Sequence, residues 1–396
     1  MDDNFPPVEQ APSPVIPPPR PPFAPPPIIA PPPPPAPAPR KGAILWKILV
    51  VILFLLLCVS LFGNFVSYVS HNLMPTGRQS FEKEHALEES VIDAKNSDNK
   101  IAVISIEGVI TGGNIDHSSM NLVEFVSEQL KAAKKDDDVK AVILKVNSPG
   151  GEVLPSDEIN AAITKFQNET RKPVITSMGT LAASGGYYVS APSRWIVAHQ
   201  LTITGSIGVI MHGFNYRGLM DKVGLRPETY KSGKFKDMLS GDQEPDLDKL
   251  STEDRENREE EKRMVQSLIN ETFARFKEVV KAGRTNAYAL NQKAGHALAD
   301  DWEDYADGRV FSGKEALEHG FVDELGNFDV AVERAKILAN IKNANLIEYK
   351  APMDLGLLFR LLSKTDAPAI KVDLGMNLPK LEAGRLYFMM PTALSH

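Results

Sequence analysis

A single serine stands among small residues in "TLAASGGYY", residues 180–188, directly after the apolar stretch "PVITSM". Because the neighbours of Ser184 are small and uncharged, a substrate carbonyl group could reach its hydroxyl. The backbone N–H of Gly185, together with that of Gly151 in "NSPGGEV", would then stabilise the oxyanion of an acyl transfer. A serine at the start of a helix is also a common N-cap, so the local sequence leaves both interpretations open.

A serine nucleophile requires a base, and the sequence offers two kinds. His212, in "GVIMHGFNY", would make a Ser-His arrangement. A buried lysine whose pKa falls toward neutrality would also accept the serine proton. The segment "TYKSGKFKDM" contains Lys231, Lys234 and Lys236, and the sequence alone does not rank them.

Other classes of site are disfavoured by composition. The formal net charge of −7 comes with no large basic patch, which argues against nucleic acid as a partner. The only cysteine, Cys58, allows neither an intrachain disulfide nor a cysteine-based metal site. Neither glycine segment continues as a phosphate-binding loop. We therefore expect no metal and no organic cofactor.

The elements around these residues predict an α/β fold. The apolar runs "KIAVISIEGVI", "VKAVILKVNSP" and "PVITSM" have strand length, and they alternate with the helical patterns "LVEFVSEQLKAAKK" and "PSDEINAAITKFQNE". Strands that are apolar on both faces and alternate with helices indicate a mostly parallel sheet. Ligands of such sheets bind beyond the carboxyl ends of the strands, where both glycine segments lie.

The N-terminal part of the chain differs in composition from the rest. Residues 1–43 are rich in proline and predict a disordered tail. Residues 44–70 predict a transmembrane helix, because no charge stands between Ile48 and Ser70. The positive charges of Arg40, Lys41 and Lys47 place the tail in the cytoplasm and everything after residue 70 outside. A cleaved signal peptide is the alternative interpretation.

Three further regions complete the expected organisation. Residues 71–98 are polar and predict a stalk, residues 99–341 form the predicted catalytic domain, and residues 342–396 are a C-terminal extension. The charged segment from Thr252 onward predicts a long helix with a solvated face.

Five segments together resemble the signal peptide peptidase A family, also called protease IV, and most of all its short membrane-anchored bacterial form. They are "VNSPGGEV", "MGTLAASGGYYVSAPS", "TGSIGVIM", "ETYKSGKFKDM" and "ADGRVFSGKEALEHGFVDELG". The resemblance covers about residues 99–340. It implies a fold related to crotonase and to the proteolytic subunit of Clp protease, and a Ser-Lys dyad.

The resemblance also implies roles for particular residues. Ser184 matches the nucleophile and Lys236 the general base. Gly151 and Gly185 match the positions whose N–H groups form the oxyanion hole, and Ser206 matches a serine that orients the lysine. In the short forms, neighbouring subunits of a ring share each site, so a homo-oligomer is implied.

The implied substrates are cleaved signal peptides and other apolar peptides. The implied location is the bacterial inner membrane, with a single span, a cytoplasmic N-terminus and an extracytoplasmic (periplasmic) catalytic domain. Three alternatives remain open from the residues themselves: a Ser-His peptidase using His212, a crotonase-type acyl-CoA enzyme, and a non-catalytic membrane scaffold in which Ser184 is only a cap.

Overall fold

The computed structural model of the protein describes residues 47, 49–61, 87–113, 120–351 and 386–389. The chain divides into two units, Met1–Ser80 and Phe81–His396, which are described separately below. Among the predicted regions, the proline-rich tail, residues 71–86 of the stalk and most of the C-terminal extension lie outside the described residues.

In the first unit, residues 49–61 are helical and their apolar side chains are exposed. These residues lie within the predicted transmembrane segment, of which residues 62–70 are outside the described residues. Among the residues that the structure describes, no helix has both the length and the apolar character that a membrane span requires.

The second unit alternates strands with helices. In chain order its elements are β1 (Glu88–Asp93), β2 (Lys100–Glu107), α1 (Leu122–Lys135), β3 (Val139–Ser148), β4 (Gly150–Glu152), α2 (Val153–Thr170), β5 (Val174–Ala183), α3 (Gly185–Ser190), β6 (Trp195–Ala198), β7 (Ile203–Gly205), α4 (Arg217–Val223), α5 (Thr252–Leu290), β8 (Val310–Ser312), α6 (Gly313–Glu318), β9 (Glu324–Leu325), α7 (Phe328–Leu338), β10 (Asn345–Lys350) and β11 (Tyr387–Met389). Short 3₁₀ turns lie at Leu247–Lys249 and Trp302–Tyr305.

The main sheet has the strand order β1-β10-β2-β3-β5-β6-β9. All neighbours along this path are parallel except β1, which runs antiparallel to β10. β7 continues beside the end of β5 in parallel, and β8 is antiparallel to β7. The mixed α/β fold with a mainly parallel sheet is therefore confirmed.

The sheet is buried on both faces, which explains why its strands are continuous apolar runs. Val142 of β3 belongs to the cluster on the α1 and α2 side, and its neighbour Ile143 belongs to the cluster on the α7 side. Helix α1 begins with a capping box, in which Asn121 accepts the N–H of Glu124 and the Glu124 carboxylate accepts the N–H of Asn121.

Two strands lie where the sequence predicts a stalk and an extension. β1 falls in the predicted stalk and pairs with β10 at one edge of the sheet. Its residues are mostly exposed, so it carries no apolar run that would announce a strand. β10 falls in the predicted C-terminal extension, yet it inserts between β1 and β2.

Candidate active site

Ser184 lies between the last residue of β5 and the first residue of α3. Its backbone has φ 55° and ψ −116°, in the half of conformational space that non-glycine residues rarely enter. The Ser184 N–H donates to the carbonyl of Gly205 at 2.8 Å, and the Ser184 carbonyl accepts the N–H of Tyr188 at 2.8 Å. These two hydrogen bonds hold the strained turn.

The hydroxyl of Ser184 does not cap the helix that follows. Its Oγ atom makes no side-chain capping bond, and it is buried without a hydrogen-bond partner among the described residues. A buried hydroxyl normally finds a partner, so the unpartnered one of Ser184 makes it a candidate functional atom. The interpretation of Ser184 as a simple N-cap is therefore wrong.

The two glycine segments meet beside Ser184, as the sheet topology predicts. A Cβ atom on Gly185 would lie 3.0 Å from Gly150 Cα and 3.1 Å from the amide nitrogen of Gly151. A Cβ atom on Gly186 would lie 2.7 Å from the carbonyl oxygen of Ser148. Side chains larger than hydrogen would push the segments apart, so the glycines allow the two backbones to approach closely.

The strand β11 occupies the space in front of these amides. It pairs antiparallel with β4, with Phe388 opposite Gly151. A Cβ atom on Gly150, which has φ 96°, would collide with the Phe388 carbonyl oxygen and lie 2.5 Å from the amide nitrogen of Gly185. The carbonyl of Phe388 therefore lies close to the amide of Gly185.

A second segment holds β11 from its other side. The N–H of Ile210 donates to the carbonyl of Tyr387, and the N–H of Tyr387 donates back to Ile210, both at 3.1 Å. The N–H of Val153 donates to the carbonyl of Leu386 at 3.3 Å. An extended peptide thus lies between β4 and Ile210, bound through its backbone.

The side chain of Phe388 fills an aromatic pocket beneath this peptide. Its ring stacks on Tyr188 with centroids 4.8 Å apart, and it lies 4.7 Å from the ring of Phe276. The Tyr188 hydroxyl donates to Asp157 Oδ1 at 2.5 Å, and burial raises the pKa of that hydroxyl. The pocket floor is therefore apolar, with the one polar atom of Tyr188 already engaged.

Ser206 lies beside Ser184. Ala183 pairs with Gly205 as the last register position between β5 and β7, and each serine directly follows its strand. Ser206 is buried and has φ 50°, similar to the φ of 55° at Ser184. The structure thus brings together Ser184, Gly185, Gly151 and Ser206.

The predicted bases are not brought to Ser184 within one chain. Lys236 lies in an exposed turn, and His212 is exposed with its ring 4.9 Å from that of Phe214. Neither residue forms a hydrogen bond to the Ser184 hydroxyl, which has no partner in the described part of the chain.

The three candidate lysines differ in their surroundings. Lys231 donates to both carboxylate oxygens of Asp237, at 2.8 and 2.9 Å, which lowers the pKa of Asp237. Lys234 lies 4.9 Å from the ring centroid of Phe235. Lys236 forms no ion pair with any of the residues described, so its amine is available to a group from outside this chain.

Residues 212–239, here called the arm, carry these bases and expose apolar side chains. α4 buries none of its residues. The exposed apolar residues of the arm are Phe214, Tyr216, Leu219, Val223, Leu225, Tyr230 and Leu239. The arm is therefore poorly packed within a single chain.

Comparison with known proteins places this site in a family. The chain matches the model of peptidase family S49 over residues 166–342. A putative signal peptide peptidase SppA from Enterococcus faecium is 36% identical over 277 residues, which are 68% of this chain and 72% of that relative. A putative protease from Methanocaldococcus jannaschii is 37% identical over 57% of this chain and 64% of its own length. Protease 4 from Haemophilus influenzae is 32% identical over 68% of this chain and 40% of its own length.

Among solved structures, the chain is similar to the 1510-N membrane-bound stomatin-specific protease at 16% identity, with a TM-score of 0.35 over 61% of this chain and 86% of that chain.

Fold and relatives agree on the class of protein, which is a serine peptidase with a mainly parallel α/β sheet. More particularly, the chain belongs to peptidase family S49, and its similarity to named signal peptide peptidases makes it SppA-like. The family resemblance expected from the five sequence segments is confirmed.

Two aromatic residues that line the site, Phe276 and Phe388, were not predicted from the sequence. Phe276 comes from a helix that the charge pattern predicts as a solvated surface, and Phe388 comes from a three-residue strand far along the chain. The only signal for them was apolar character, at Phe276 within a charged helix and at Phe388 within the apolar segment "GRLYFMMPTAL", and this does not say what they touch.

Proposed function

We propose that this chain is a membrane-bound endopeptidase that degrades cleaved signal peptides with a Ser-Lys dyad, Ser184 as nucleophile and Lys236 as general base. The observation that carries the proposal is the buried, unpartnered hydroxyl of Ser184 beside the amides of Gly151 and Gly185. The relative from Enterococcus faecium, named a putative signal peptide peptidase, supports the substrate class.

The reaction follows from the roles of these groups. The Oγ of Ser184 attacks the peptide carbonyl while the neutral amine of Lys236 takes the hydroxyl proton. The N–H groups of Gly151 and Gly185 stabilise the oxyanion, and the C–N bond breaks as Lys236 returns the proton to the leaving amine. Water, deprotonated by Lys236, then hydrolyses the acyl-enzyme. Ser206, beside Ser184, orients the lysine.

The bound strand β11 supports a peptide as the substrate. It is extended, it hydrogen-bonds through its backbone to β4 and Ile210, and its Phe388 carbonyl lies by the Gly185 amide. Backbone pairing of this kind accepts many sequences, and a pocket lined by Tyr188 and Phe276 favours an apolar side chain. A crotonase-type acyl-CoA enzyme would lack its cofactor on the extracytoplasmic side, so the proposed topology counts against that alternative.

The lysine is proposed to come from a neighbouring copy of the chain. Within one chain, Lys236 is exposed and makes no contact with the Ser184 hydroxyl. The arm that carries Lys236 exposes a row of apolar residues that a second copy would cover. Packing of the arm on a neighbour would desolvate the amine and complete each site in a homo-oligomer.

Attachment to the bacterial inner membrane is also part of the proposal. The segment 44–70 would span the membrane once, with the proline-rich tail of residues 1–43 in the cytoplasm and the catalytic domain on the extracytoplasmic (periplasmic) side. Signal peptides remain in this membrane after secretion, so a tethered peptidase would meet them there.

A Ser-His mechanism is the second candidate. His212 lies two residues beyond Ile210, which hydrogen-bonds to Tyr387 of β11. It is therefore on a segment next to this extended strand. A substitution series separates the two bases.

The test is hydrolysis of a fluorogenic peptide with a signal-peptide-like apolar core by the full chain in detergent. We expect Ser184→Ala and Lys236→Ala to lower kcat at least about 10³-fold, because each removes a group that acts in the transition state. His212→Ala should retain activity. Loss with His212→Ala and survival of Lys236→Ala would establish the Ser-His mechanism, and an inactive, assembled wild type would indicate a scaffold.

A further inference from the structure

One peptide unit connects Ser184 to a surface turn. The Gly205 carbonyl accepts the N–H of Ser184 at 2.8 Å, and the N–H of Ser206 donates to the Arg309 carbonyl at 2.7 Å. Both hydrogen bonds belong to the Gly205–Ser206 peptide. Because a peptide unit is planar, its carbonyl and its N–H cannot be turned independently. The direction of the Arg309 carbonyl therefore constrains the group that holds the Ser184 amide.

Asp307 holds the peptide that precedes Arg309, and the Arg309 carbonyl lies at the start of the pairing of β8 with β7. The Oδ1 atom of Asp307 accepts the backbone N–H of Arg309 at 3.1 Å, which closes a short turn. Gly308, at the centre of the turn, has φ 92°, a conformation that glycine adopts without strain. The carboxylate also accepts Arg309 Nε at 2.8 Å and Nη2 at 2.6 Å.

The ion pair between Asp307 and Arg309 contributes less to the backbone position of Arg309 than the hydrogen bond that closes the turn. The side chains of Asp307 and Arg309 are 50% and 49% exposed, so their charge attraction is largely screened by water. The side-chain hydrogen bond from Arg309 lowers the pKa of Asp307 to about 2, so the carboxylate stays charged at neutral pH. The hydrogen bond that bears on the position of Ser206 is the one that the backbone N–H of Arg309 donates to Asp307.

We propose that Asp307 is a positioning residue for the nucleophile, acting through the Arg309 carbonyl and the Gly205–Ser206 peptide. It holds Ser184 and Ser206 in their left-handed conformations side by side, although its own side chain is half-exposed at the surface. The inference depends on the proposed role of Ser184 as nucleophile. It also gives the segment "ADGRVFSG" a function, because this segment supplies the turn and the strand β8.

The test compares four variants of the full chain in detergent. Asp307→Ala removes the acceptor of the Arg309 N–H, and we expect kcat to fall about tenfold or more with KM changed less than about twofold. Asp307→Asn retains an oxygen acceptor at the same place and should recover kcat to within about threefold. Arg309→Ala keeps its own carbonyl and should be nearly as active. The control Glu169→Ala breaks a similarly exposed ion pair, with Lys134 at 3.0 Å, and should change nothing.

Two further measurements separate positioning from general stability. The rate at which a fluorophosphonate labels the Ser184 hydroxyl should fall with kcat in Asp307→Ala. Hydrogen exchange of the Ser184 and Ser206 amides should accelerate in that variant while exchange in β2 and β3 stays unchanged, because the core strands do not contact the turn.

Several outcomes would overturn the positioning role. They are a kcat of Asp307→Ala within twofold of wild type, an Asp307→Asn variant as impaired as Asp307→Ala, and exchange that rises throughout the sheet. These results remain distinct from failure of the proposed function. If Ser184→Ala retains activity, the nucleophile assignment is wrong; if Ser184→Ala is inactive and Asp307→Ala is fully active, only the positioning role is lost.

Discussion

The residues around Ser184 are small because each neighbour approaches another backbone. Gly185 faces Gly150 and the Gly151 amide, and Gly186 faces the Ser148 carbonyl. The sparsely populated backbone conformation of Ser184, with φ 55° and ψ −116°, costs about 1–3 kcal/mol, and it persists because both of its backbone groups are hydrogen-bonded. The strain places a hydroxyl where no capping partner is within reach.

Gly150 provides a sharp test at this scale. We expect Gly150→Ala to lower kcat/KM at least about 100-fold, because a Cβ atom would strain a backbone at φ 96° and fill the place where the Phe388 carbonyl lies. Peptide hydrolysis and the melting temperature are the measurements. The control is Gly113→Ala, which lies outside the arm and where a Cβ atom would meet only Thr111 Oγ1, at an ordinary 3.6 Å. Equal activities of the two variants would contradict the described approach of the glycine segments.

Helix α5 packs against the end of α3, the helix that follows Ser184. It is 39 residues long, and its buried residues lie mainly in its C-terminal half. Gly283 lies against the carbonyl of Ala191 at the end of α3, and Arg284 makes a fully buried ion pair with Asp323 at 2.5 Å. Asp323 lies just before β9 and also accepts the N–H of Ile196 in β6, so this pair ties α5 to that end of the sheet. Breaking a buried pair would leave an uncompensated charge.

β11 occupies the groove between β4 and Ile210, here called the cleft. It should compete with added peptides for this groove. We expect Phe388→Asp to lower KM for a short apolar peptide several-fold with kcat little changed, because a carboxylate is disfavoured in the pocket of Tyr188 and Phe276. Steady-state kinetics measure the effect. Ile337→Asp, at an exposed apolar position of α7, is the control and should leave KM unchanged. An unchanged KM in Phe388→Asp would show that β11 does not compete.

The elements that the sequence predicts are those with a strong local pattern. The helix α1 coincides with "LVEFVSEQLKAAKK", and β2 and β3 coincide with buried apolar runs, because periodicity and burial agree there. β4 and β11 have three residues each, and their pairing depends on contacts far apart in the sequence. No local pattern could predict them.

The candidate site, like the fold, has some parts that the sequence predicts and others that it does not. Ser184, Gly185 and Gly151 were predicted to lie together, because the ends of neighbouring parallel strands meet at one edge of a sheet. Ser206 was implied only by the family resemblance, and the structure places it beside Ser184. The base was not fixed by the same reasoning. Lys236 lies on an exposed arm, so its distance from any serine depends on contacts that one chain does not contain.

On the scale of the whole molecule, the arm is the part least explained by a single chain. α4 buries no residue, while the sheet is buried on both faces. An exposed apolar segment of this kind is typical of a surface that a partner covers. A second copy of the chain is the partner proposed above, because it would also bring Lys236 to Ser184.

Mixing variants tests this sharing of sites. Ser184→Ala and Lys236→Ala chains, each inactive alone, should together recover activity, because a mixed assembly contains interfaces with an intact serine facing an intact lysine. In a cyclic assembly of equal, random composition, about a quarter of the interfaces meet this condition. The measurement is peptide hydrolysis after the two proteins are dissociated and reassembled together.

The control carries both substitutions in one chain and is mixed with itself, which should restore nothing. Absence of recovery in assemblies that contain both single variants, as established by mass spectrometry, would contradict a shared site.

The strand in the cleft also has a consequence for the order of folding. Gly151 and Phe388 are paired although most of the domain lies between them in the sequence. Contacts of such long separation form late, because a large loop must close before they contribute. We therefore expect the sheet and the Ser184 turn to form before β11 occupies the cleft. Because a three-residue strand has few contacts to lose, we also expect β11 to leave by local unfolding while the sheet stays intact.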